Sequence, residues 1–411
     1  MGPACIHEGV RRMRFSTLLD RHERGELTQE AAAEMLGIGV RSFQRWSVRF
    51  EADGEAGLAD RRLERPSKRR APQEEIERML GLFKDKYADF TVKHFHEQLG
   101  KRHNYKLGYT VTKLALHKAG LVRAAPKRSA HRKKRPRRPL PGMMLHQDGS
   151  RHVWIAGLPA MDLIVTMDDA TSEIYSMFLV PEEGTASTFR ALREVVETQG
   201  LFCALYTDRG SHYFHTPEAG GPVSKTQLTQ AGRGLKQLGI EHIAAYSPQA
   251  RGRSERMFGT LQGRLPQELR VAGIKTVEEA NVWLREHYMG EHNKAFMAAA
   301  EQEGSAFIRE PGQHWREILC AQEERIVDND NTIAWNNARL QLPPSRLRPH
   351  FVKAQVRVHA YPEGTFSVFL GPHRLADYDA GGQIIAPEPP QHGAVLAGVK
   401  DKPSRRASAR R

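Results

Sequence analysis

Apolar residues recur along this chain at two different spacings, and the change of spacing divides it. Near the N-terminus the period is helical. Thr28 is placed to cap a helix running through Ala31, Ala32 and Leu36, and Gly37 ends it. A second helix opens near Val40 and carries Phe43 and Trp46. Ala32, Leu36, Ile38, Phe43 and Trp46 then predict a small core, with Arg41, Ser42, Gln44 and Arg45 pointing elsewhere. Two short helices joined by a glycine-containing turn make a helix-turn-helix. The polar set on its second helix suits base edges and phosphates. After a loop with Pro66 and Pro72, helical spacing resumes at Ile76, Met79, Leu80 and Phe83. It returns at Val111, Leu114 and Leu116 before Gly120, which predicts a second helical module, helix-turn-helix or winged.

From residue 141 onwards strand and helix patterns alternate. Apolar strand candidates lie at 143–147, 153–156, 161–167, 174–180, 201–206 and 240–246. One amphipathic helix runs from about Ser187 to Gly200, with Phe189, Leu192, Val195 and Val196 inward. Another carries Leu228, Ala231, Leu235 and Leu238 and stops at Gly239. Strands in succession predict an antiparallel meander, and helical crossovers predict parallel additions beside it. That is the order of a ribonuclease-H-like α/β core. After about residue 300 the helical pattern fades. Val356, Val358 and Ala360, a Pro362-Glu363-Gly364 turn, then Phe366, Val368 and Leu370 predict a hairpin in a small β-domain. The multidomain division is therefore 1–64 (helix-turn-helix), 65–122 (second helical module), 123–140 (basic linker), 141–300 (core), 301–380 (β-domain region) and 381–411 (a disordered basic tail).

Composition sharpens the choice of partner. The chain has 411 residues and a formal net charge of +14, which points to polyanions. The excess is concentrated between 123 and 138, where Arg123, Lys127, Arg128, Arg132, Lys133, Lys134, Arg135, Arg137 and Arg138 crowd a segment without apolar period. Such a run stays extended and tracks phosphates. Cys5, Cys203 and Cys320 are too few and too scattered for a disulfide framework, which fits a reducing cytoplasm. His94, His96 and His103 have no cysteine near them and read as surface or packing histidines. No apolar stretch of about eighteen residues occurs, so the sequence predicts no membrane partner.

Three acids fall at the ends of core elements. Asp148 follows the first strand, Asp208 ends the strand from Leu201 to Thr207, and Glu255 lies just inside a helix after Pro248. The first and fourth strands of such a sheet are neighbours, so their acids converge, and the helix crosses the same end. Three carboxylates suit two hard divalent cations about 4 Å apart, which activate a nucleophile and stabilise a leaving oxyanion in phosphodiester chemistry. Asp168 and Asp169 compete for the first position, but read better as a turn after the strand 161–167.

These pieces resemble the DDE transposase and retroviral integrase superfamily, in particular the ISNCY-type bacterial insertion-sequence transposases. The matching runs are Gln147-Asp148-Gly149-Ser150, Met167-Asp168-Asp169-Ala170-Thr171, Tyr206-Thr207-Asp208-Arg209, and Ser247-Pro248-Gln249-Ala250-Arg251-Gly252-Arg253-Ser254-Glu255-Arg256 with Gly259-Thr260-Leu261-Gln262 after it. The resemblance implies that Asp148, Asp208 and Glu255 are catalytic and hold Mg²⁺ or Mn²⁺, as two ions. It implies binding to double-stranded DNA, at the terminal inverted repeats and at target DNA, followed by strand cleavage and strand transfer by a homodimer or larger assembly. DNA contacts are expected at Arg41, Ser42, Gln44 and Arg45, at Lys133, Lys134 and Arg135, and at Arg251, Arg253 and Arg256. Two other readings stay open on the sequence: a domesticated or inactive relative acting as a sequence-specific DNA-binding regulator, and a nuclease that cuts without joining.

Overall fold

The computed structural model describes residues 3–59, 70–123, 135–218, 221–224, 226–246, 252–309, 312, 314–336, 338–345 and 347–385. The chain divides into two compact units, one of Met1–Lys86 with Leu99–Val122 and the other of Tyr87–Gln98 with Arg123–Arg411.

In the first unit, α1 (Pro3–Glu23), α2 (Gln29–Met35) and α3 (Val40–Asp53) share one core. Thr28 caps α2 as expected, its hydroxyl accepting from the Ala31 N–H at 3.3 Å, and Gly37 takes the left-handed φ of +65° that ends the turn. Ala32 and Phe43 are fully buried, with Leu36, Ile38 and Trp46 packed against them. Sequence reasoning omitted α1, whose Phe15 and Leu19 complete this core and whose Phe15 ring meets Phe43 at 5.3 Å. Two short helices bury too little apolar surface to be stable alone, so a third is physically required. Next come α4 (Gln73–Lys86), α5 (Val92–His103) and α6 (Tyr109–Lys118). In α4, Met79 and Phe83 are buried as expected. In α6 the inward positions are Thr112 and Leu116, one turn apart, whereas Leu114 is exposed. Two residues on from Thr112 is about 200° around the helix, so Leu114 faces the opposite side.

The second unit is built on a sheet of β1 (Leu145–His152), β2 (Met161–Asp168), β3 (Ile174–Val180), β4 (Ala204–Thr207) and β5 (Glu241–Ala244), in the order β3-β2-β1-β4-β5. The first three strands are antiparallel, and β4 and β5 run parallel to β1 and to each other. This is the ribonuclease-H-like arrangement that the order of elements predicts. The expected strand at 153–156 does not form. β1 runs on to His152, and the segment then turns so that Trp154 is buried, its indole N–H donating to the carbonyls of Ser150 (3.2 Å) and Met161 (3.1 Å). A strand there would leave that polar tip without these partners.

Helices cover both faces of the sheet. One face carries α7 (Thr185–Thr198) and α8 (Gln230–Gln237), with Phe189, Leu192, Val195 and Leu235 packed on Leu145 and Leu205. The other carries α9 (Gly252–Gln262), α10 (Leu265–Ala272), α11 (Val277–Trp283), a π-helical turn at Leu284–Tyr288 and α12 (Met289–Phe296). Met257, Phe258 and Leu261 of α9 meet Leu163, Val165 and Met167 of β2 there. The edge strand β3 is closed by two asparagines. Asn281 exchanges hydrogen bonds with both the N–H (2.6 Å) and the carbonyl (3.0 Å) of Leu179, and Asn293 does the same for Ile174 (2.9 Å each). Each side chain thus stands in for a neighbouring strand and satisfies an otherwise open edge.

The segment Tyr87–Gln98 packs on α10. His94 is fully buried with Nε2 on Glu268 at 2.7 Å and its ring stacked on Phe90, and Glu97 pairs with Arg264. His94 is thus a packing histidine, as its sequence context suggests. Beyond α13 (Trp315–Ile318) lies a sheet of β6 (Ala321–Ile326), β9 (Gln355–Ala360), β10 (Phe366–Leu370), β11 (His373–Tyr378) and β12 (Ile384–Ile385), beside the pair β7 (Thr332–Trp335) and β8 (Ala338–Gln341). The expected hairpin is β9–β10, with Val358 opposite Val368. Ser367 and Phe369 are buried as well, so β10 is covered on both sides and its full environment is invisible to a two-residue period.

Candidate active site

The placement of the three acids follows from strand register. On β1, residues with even numbers face α9: His146 stands opposite Met167, Asp148 opposite Val165 and Ser150 opposite Leu163, and those partners line the core under α9. Odd residues face α7, where the Gln147 amide reaches the Thr188 carbonyl. Asp148 is therefore directed to the α9 side and is nearly buried, at 8 % exposure. On the parallel neighbour, Leu205 pairs with Leu145 and Tyr206 with His146. Two residues beyond that last pair come Asp148, within β1, and Asp208, just past the end of β4 at Thr207. The Asp208 carboxylate is turned by its own loop, Oδ1 accepting from the Gly210 N–H at 2.8 Å.

Glu255 reaches the same face from above. It lies in the first turn of α9 and is exposed. Gln262, two turns on and so on the same flank of the helix, donates from Nε2 to Ser150 Oγ at 3.0 Å. The flank bearing Glu255 is thus turned to β1, on the Asp148 side of Ser150. All donors in the trio are carboxylate oxygens, the set that suits a hard divalent cation. Among the described residues, no three His, Cys, Asp or Glu side chains are close enough together to hold a metal ion. Asp148, Asp208 and Glu255 therefore do not close into a cage, and the segment leading into α9, residues 247–251, is outside the described residues.

Close packing behind β1 explains Gly149. A Cβ there would stand 2.4 Å from Glu183 Oε2 and 3.3 Å from Ile164 Cδ1. Glu183 also accepts from the Tyr213 hydroxyl at 3.1 Å and lies 3.4 Å from His212 Nε2, next to the Asp208 loop. Sequence reasoning overlooked Glu183, which carries no motif of its own.

A second carboxylate centre adjoins the first. Asp168 and Asp169 form the turn after β2, as their position suggests, and both are fully buried. Asp168 accepts from the backbone N–H groups of Gly142, Ala170 and Thr171. Burial dominates and pushes its pKa up, against the pull of those three donors. Asp169 is held by side chains. Its Oδ1 accepts from His146 Nε2 (2.7 Å), from Arg135 Nη2 (2.5 Å) and from Arg253, and its Oδ2 accepts from the Arg138 N–H (2.8 Å). Burial favours the neutral acid here too, but the His146 hydrogen bond, the Arg138 N–H and the neighbouring charges outweigh it and hold the pKa down to about 2. His146 is shifted downward as well, burial holding its pKa below the ordinary value.

The expected DNA contacts are distributed as follows. Arg41, Gln44 and Arg45 are exposed on α3, with Ser42 half-buried. Gln44 also donates to Gln29 Oε1 at 2.9 Å. Arg256 is exposed on α9, Arg253 and Arg135 are turned onto Asp169, and Lys133, Lys134 and Arg251 lie outside the described residues.

The chain is similar to known proteins over part or most of its length. Residues 17–77 match the winged helix-turn-helix family. Over 356 residues the chain is 29% identical to a Sinorhizobium fredii protein named as transposase y4bF, covering 85% of this chain and 77% of that one. Over 354 residues it is 26% identical to the transposase for insertion sequence IS1202 of Streptococcus pneumoniae, covering 76% of this chain and 74% of that one. The chain is a relative of insertion-sequence transposases. Solved structures similar to parts of it include the integrase catalytic core domain of HTLV-2 in complex with magnesium, at 16% identity, 35% of this chain, 85% of that one and a TM-score of 0.28. They also include a simian T-cell lymphotropic virus intasome in complex with PP2A regulatory subunit B56 gamma, at 13% identity, 69% and 93% coverage and a TM-score of 0.32. No described helix is long and apolar enough to cross a membrane.

Proposed function

We propose that this relative of insertion-sequence transposases is an active DNA transposase that binds the terminal inverted repeats of its own element, cleaves there and joins the freed ends to target DNA. The observation that carries the reading is the register of β1 and β4. It supports the reading because Asp148 and Asp208 each follow the pair His146–Tyr206 by two residues, and Glu255 lies in the first turn of the helix that packs on the neighbouring strand β2. Asp148, Asp208 and Glu255 would hold Mg²⁺ or Mn²⁺, two ions in the full site. Bound there, the ions would lower the pKa of the attacking water or 3′-hydroxyl and neutralise charge on the leaving oxygen. The protein's own part is to hold the carboxylates and to keep one side of the site dry with the packing of α9 on β2. Arg256 beside Glu255 offers a phosphate contact, and Arg41, Gln44 and Arg45 offer contacts to base edges and phosphates. Two element ends must be joined together, so a dimer or larger assembly on DNA is part of the proposal.

The test is strand nicking and joining on DNA carrying the element's ends, with Mg²⁺ present and then chelated. Wild-type protein should nick and join only with metal. Asp208→Ala should do neither while still binding the ends. Replacing Arg41, Gln44 and Arg45 together should remove the preference for end DNA over random DNA. Nicking at the wild-type rate by Asp208→Ala would exclude the assignment. End binding with no cleavage by wild type under any divalent metal would favour a regulator, and nicking without joining would favour a simple nuclease.

A further inference from the structure

Asp169 belongs to no catalytic set, yet its contacts meet at the two elements that bring the first and third acids. His146 precedes Asp148 by two residues on β1 and shares its face. Arg253 precedes Glu255 by two residues at the start of α9. Both donate to the same oxygen, Asp169 Oδ1. Asp148 and Glu255 sit on separate elements, a strand and a helix, which side chains must hold against each other. At its far end α9 is tied to β1 by Gln262 on Ser150. At its near end, where Glu255 is, the ties running through Arg253 are to Asp169 and to the Arg135 carbonyl at 2.9 Å.

We infer that Asp169 is a positioning residue, which sets the start of the Glu255 helix against the Asp148 strand by holding Arg253 and His146 on one carboxylate oxygen. The same carboxylate takes Arg135 and the Arg138 N–H, while Arg137 donates to the carbonyls of Asp169 and Ala170 at 2.9 and 3.0 Å. The C-terminal end of the basic segment is thereby anchored at the point where the acids are aligned. Arg135 also lies 5.5 Å over the Tyr206 ring, two residues from Asp208. The anchor therefore adjoins all three acid-bearing elements. Full burial gives the arrangement its stiffness: an ionised carboxylate removed from water has little freedom to exchange partners.

The inference rests on the acid trio as the metal site, and the experiment separates the two. In the full chain, Mn²⁺ binding is measured directly by electron paramagnetic resonance, and nicking is measured as a function of Mg²⁺ concentration. Asp169→Asn keeps the shape and an acceptor oxygen but loses the charge. Arg253→Gln loosens the helix start from the other side and leaves Asp169 with His146 and Arg135. Both variants should weaken Mn²⁺ binding by about tenfold to a hundredfold, as removal of a residue that orients a metal ligand does. Both should raise the Mg²⁺ midpoint for nicking by a similar factor, with the rate recovering at high Mg²⁺. A purely structural role would instead lower the active fraction and leave the midpoint in place, and an unmoved midpoint with wild-type Mn²⁺ affinity overturns the inference. If Asp208→Ala abolishes Mn²⁺ binding and Asp169→Asn leaves it intact, only the positioning role fails. If Asp208→Ala retains wild-type Mn²⁺ binding, the acid trio itself fails, and the positioning role with it.

Discussion

Two groups of carboxylates lie near one end of the same sheet, and they are built in opposite ways. Asp168 and Asp169 are fully buried and surrounded by donors: backbone N–H groups for the first, and a histidine, two arginines and an N–H for the second. In the trio, Asp148 retains 8 % exposure, Asp208 is half-buried and Glu255 is exposed. If the trio holds metal as proposed, the difference separates scaffold from chemistry. A carboxylate whose oxygens are saturated by protein donors is a structural cross-link, since a cation would have to displace charged hydrogen bonds to reach it. A carboxylate at the rim of a sheet remains accessible to an external cation and its phosphate ligand.

The largest effect expected is on chemistry. Alanine at Asp148, Asp208 or Glu255 should lower nicking by at least a factor of about 10⁴, ~5 kcal/mol of transition-state stabilisation. For Glu255→Ala, an exposed position, the melting temperature should stay close to wild type. A Glu255→Ala protein that loses several degrees of stability would blur the distinction between the two groups. Asp169→Ala should do the reverse in kind, leaving Arg253 and His146 facing an emptied buried site. Breaking one side of a buried pair costs about 3–5 kcal/mol, and denaturant unfolding should show a loss of that size. A loss under about 1 kcal/mol would mean that the Asp169 network contributes little to stability.

Acid provides a finer separation. Asp169, with its pKa near 2, stays ionised in mildly acidic solution. The half-buried His242 and the buried His292 and His359 have pKa values depressed by desolvation to about 4, against about 6.5 when unfolded. Between pH 6.5 and 4 the unfolded chain binds protons at these positions and the folded chain does not, so stability falls as pH falls. The slope is up to about 1.4 kcal/mol per pH unit for each histidine. His359→Phe, in a site where the ring already stacks on Phe369 at 4.2 Å, should flatten the melting temperature against pH in that window. An unchanged slope would assign the acid loss to other groups. The smallest effect expected is at Asn281. Its replacement by Ala leaves the N–H and carbonyl of Leu179 on β3 unpaired and should cost about 1–3 kcal/mol, read as faster amide exchange confined to the β3 edge. Uniform exchange across the sheet would rule out a local capping role.

Much of this molecule was readable in one dimension because the relevant forces are local. Thr28, Gly37 and the spacing of Ala32, Phe43 and Trp46 define a helix-turn-helix, and these features depend only on neighbours in sequence. The turn at Asp168-Asp169 was legible from its place after an apolar strand. Misreadings fell where distant partners decide. Trp154 and Ile155 look like a strand, but the indole finds its hydrogen bonds in a turn. Leu114 has helical spacing with Val111 yet is exposed, because the partner surface lies on the Thr112–Leu116 side. α1 was missed because its apolar positions gain meaning only when α2 and α3 are present to receive them.

By itself the sequence determined the periods, the caps and the order of strands and helices, though Asp148, expected at the end of the first strand, lies within β1. These follow from backbone geometry and from the need to bury apolar faces, and both repeat over a few residues. Only the tertiary structure decided that β4 runs parallel beside β1 with Tyr206 opposite His146, and that Gln262 ties the helix of Glu255 to Ser150 of β1. It also decided that Asp169 takes His146, Arg135 and Arg253 together. Those relations join residues from different parts of the chain, and their energy appears only when the sheet has formed and water has left the space between.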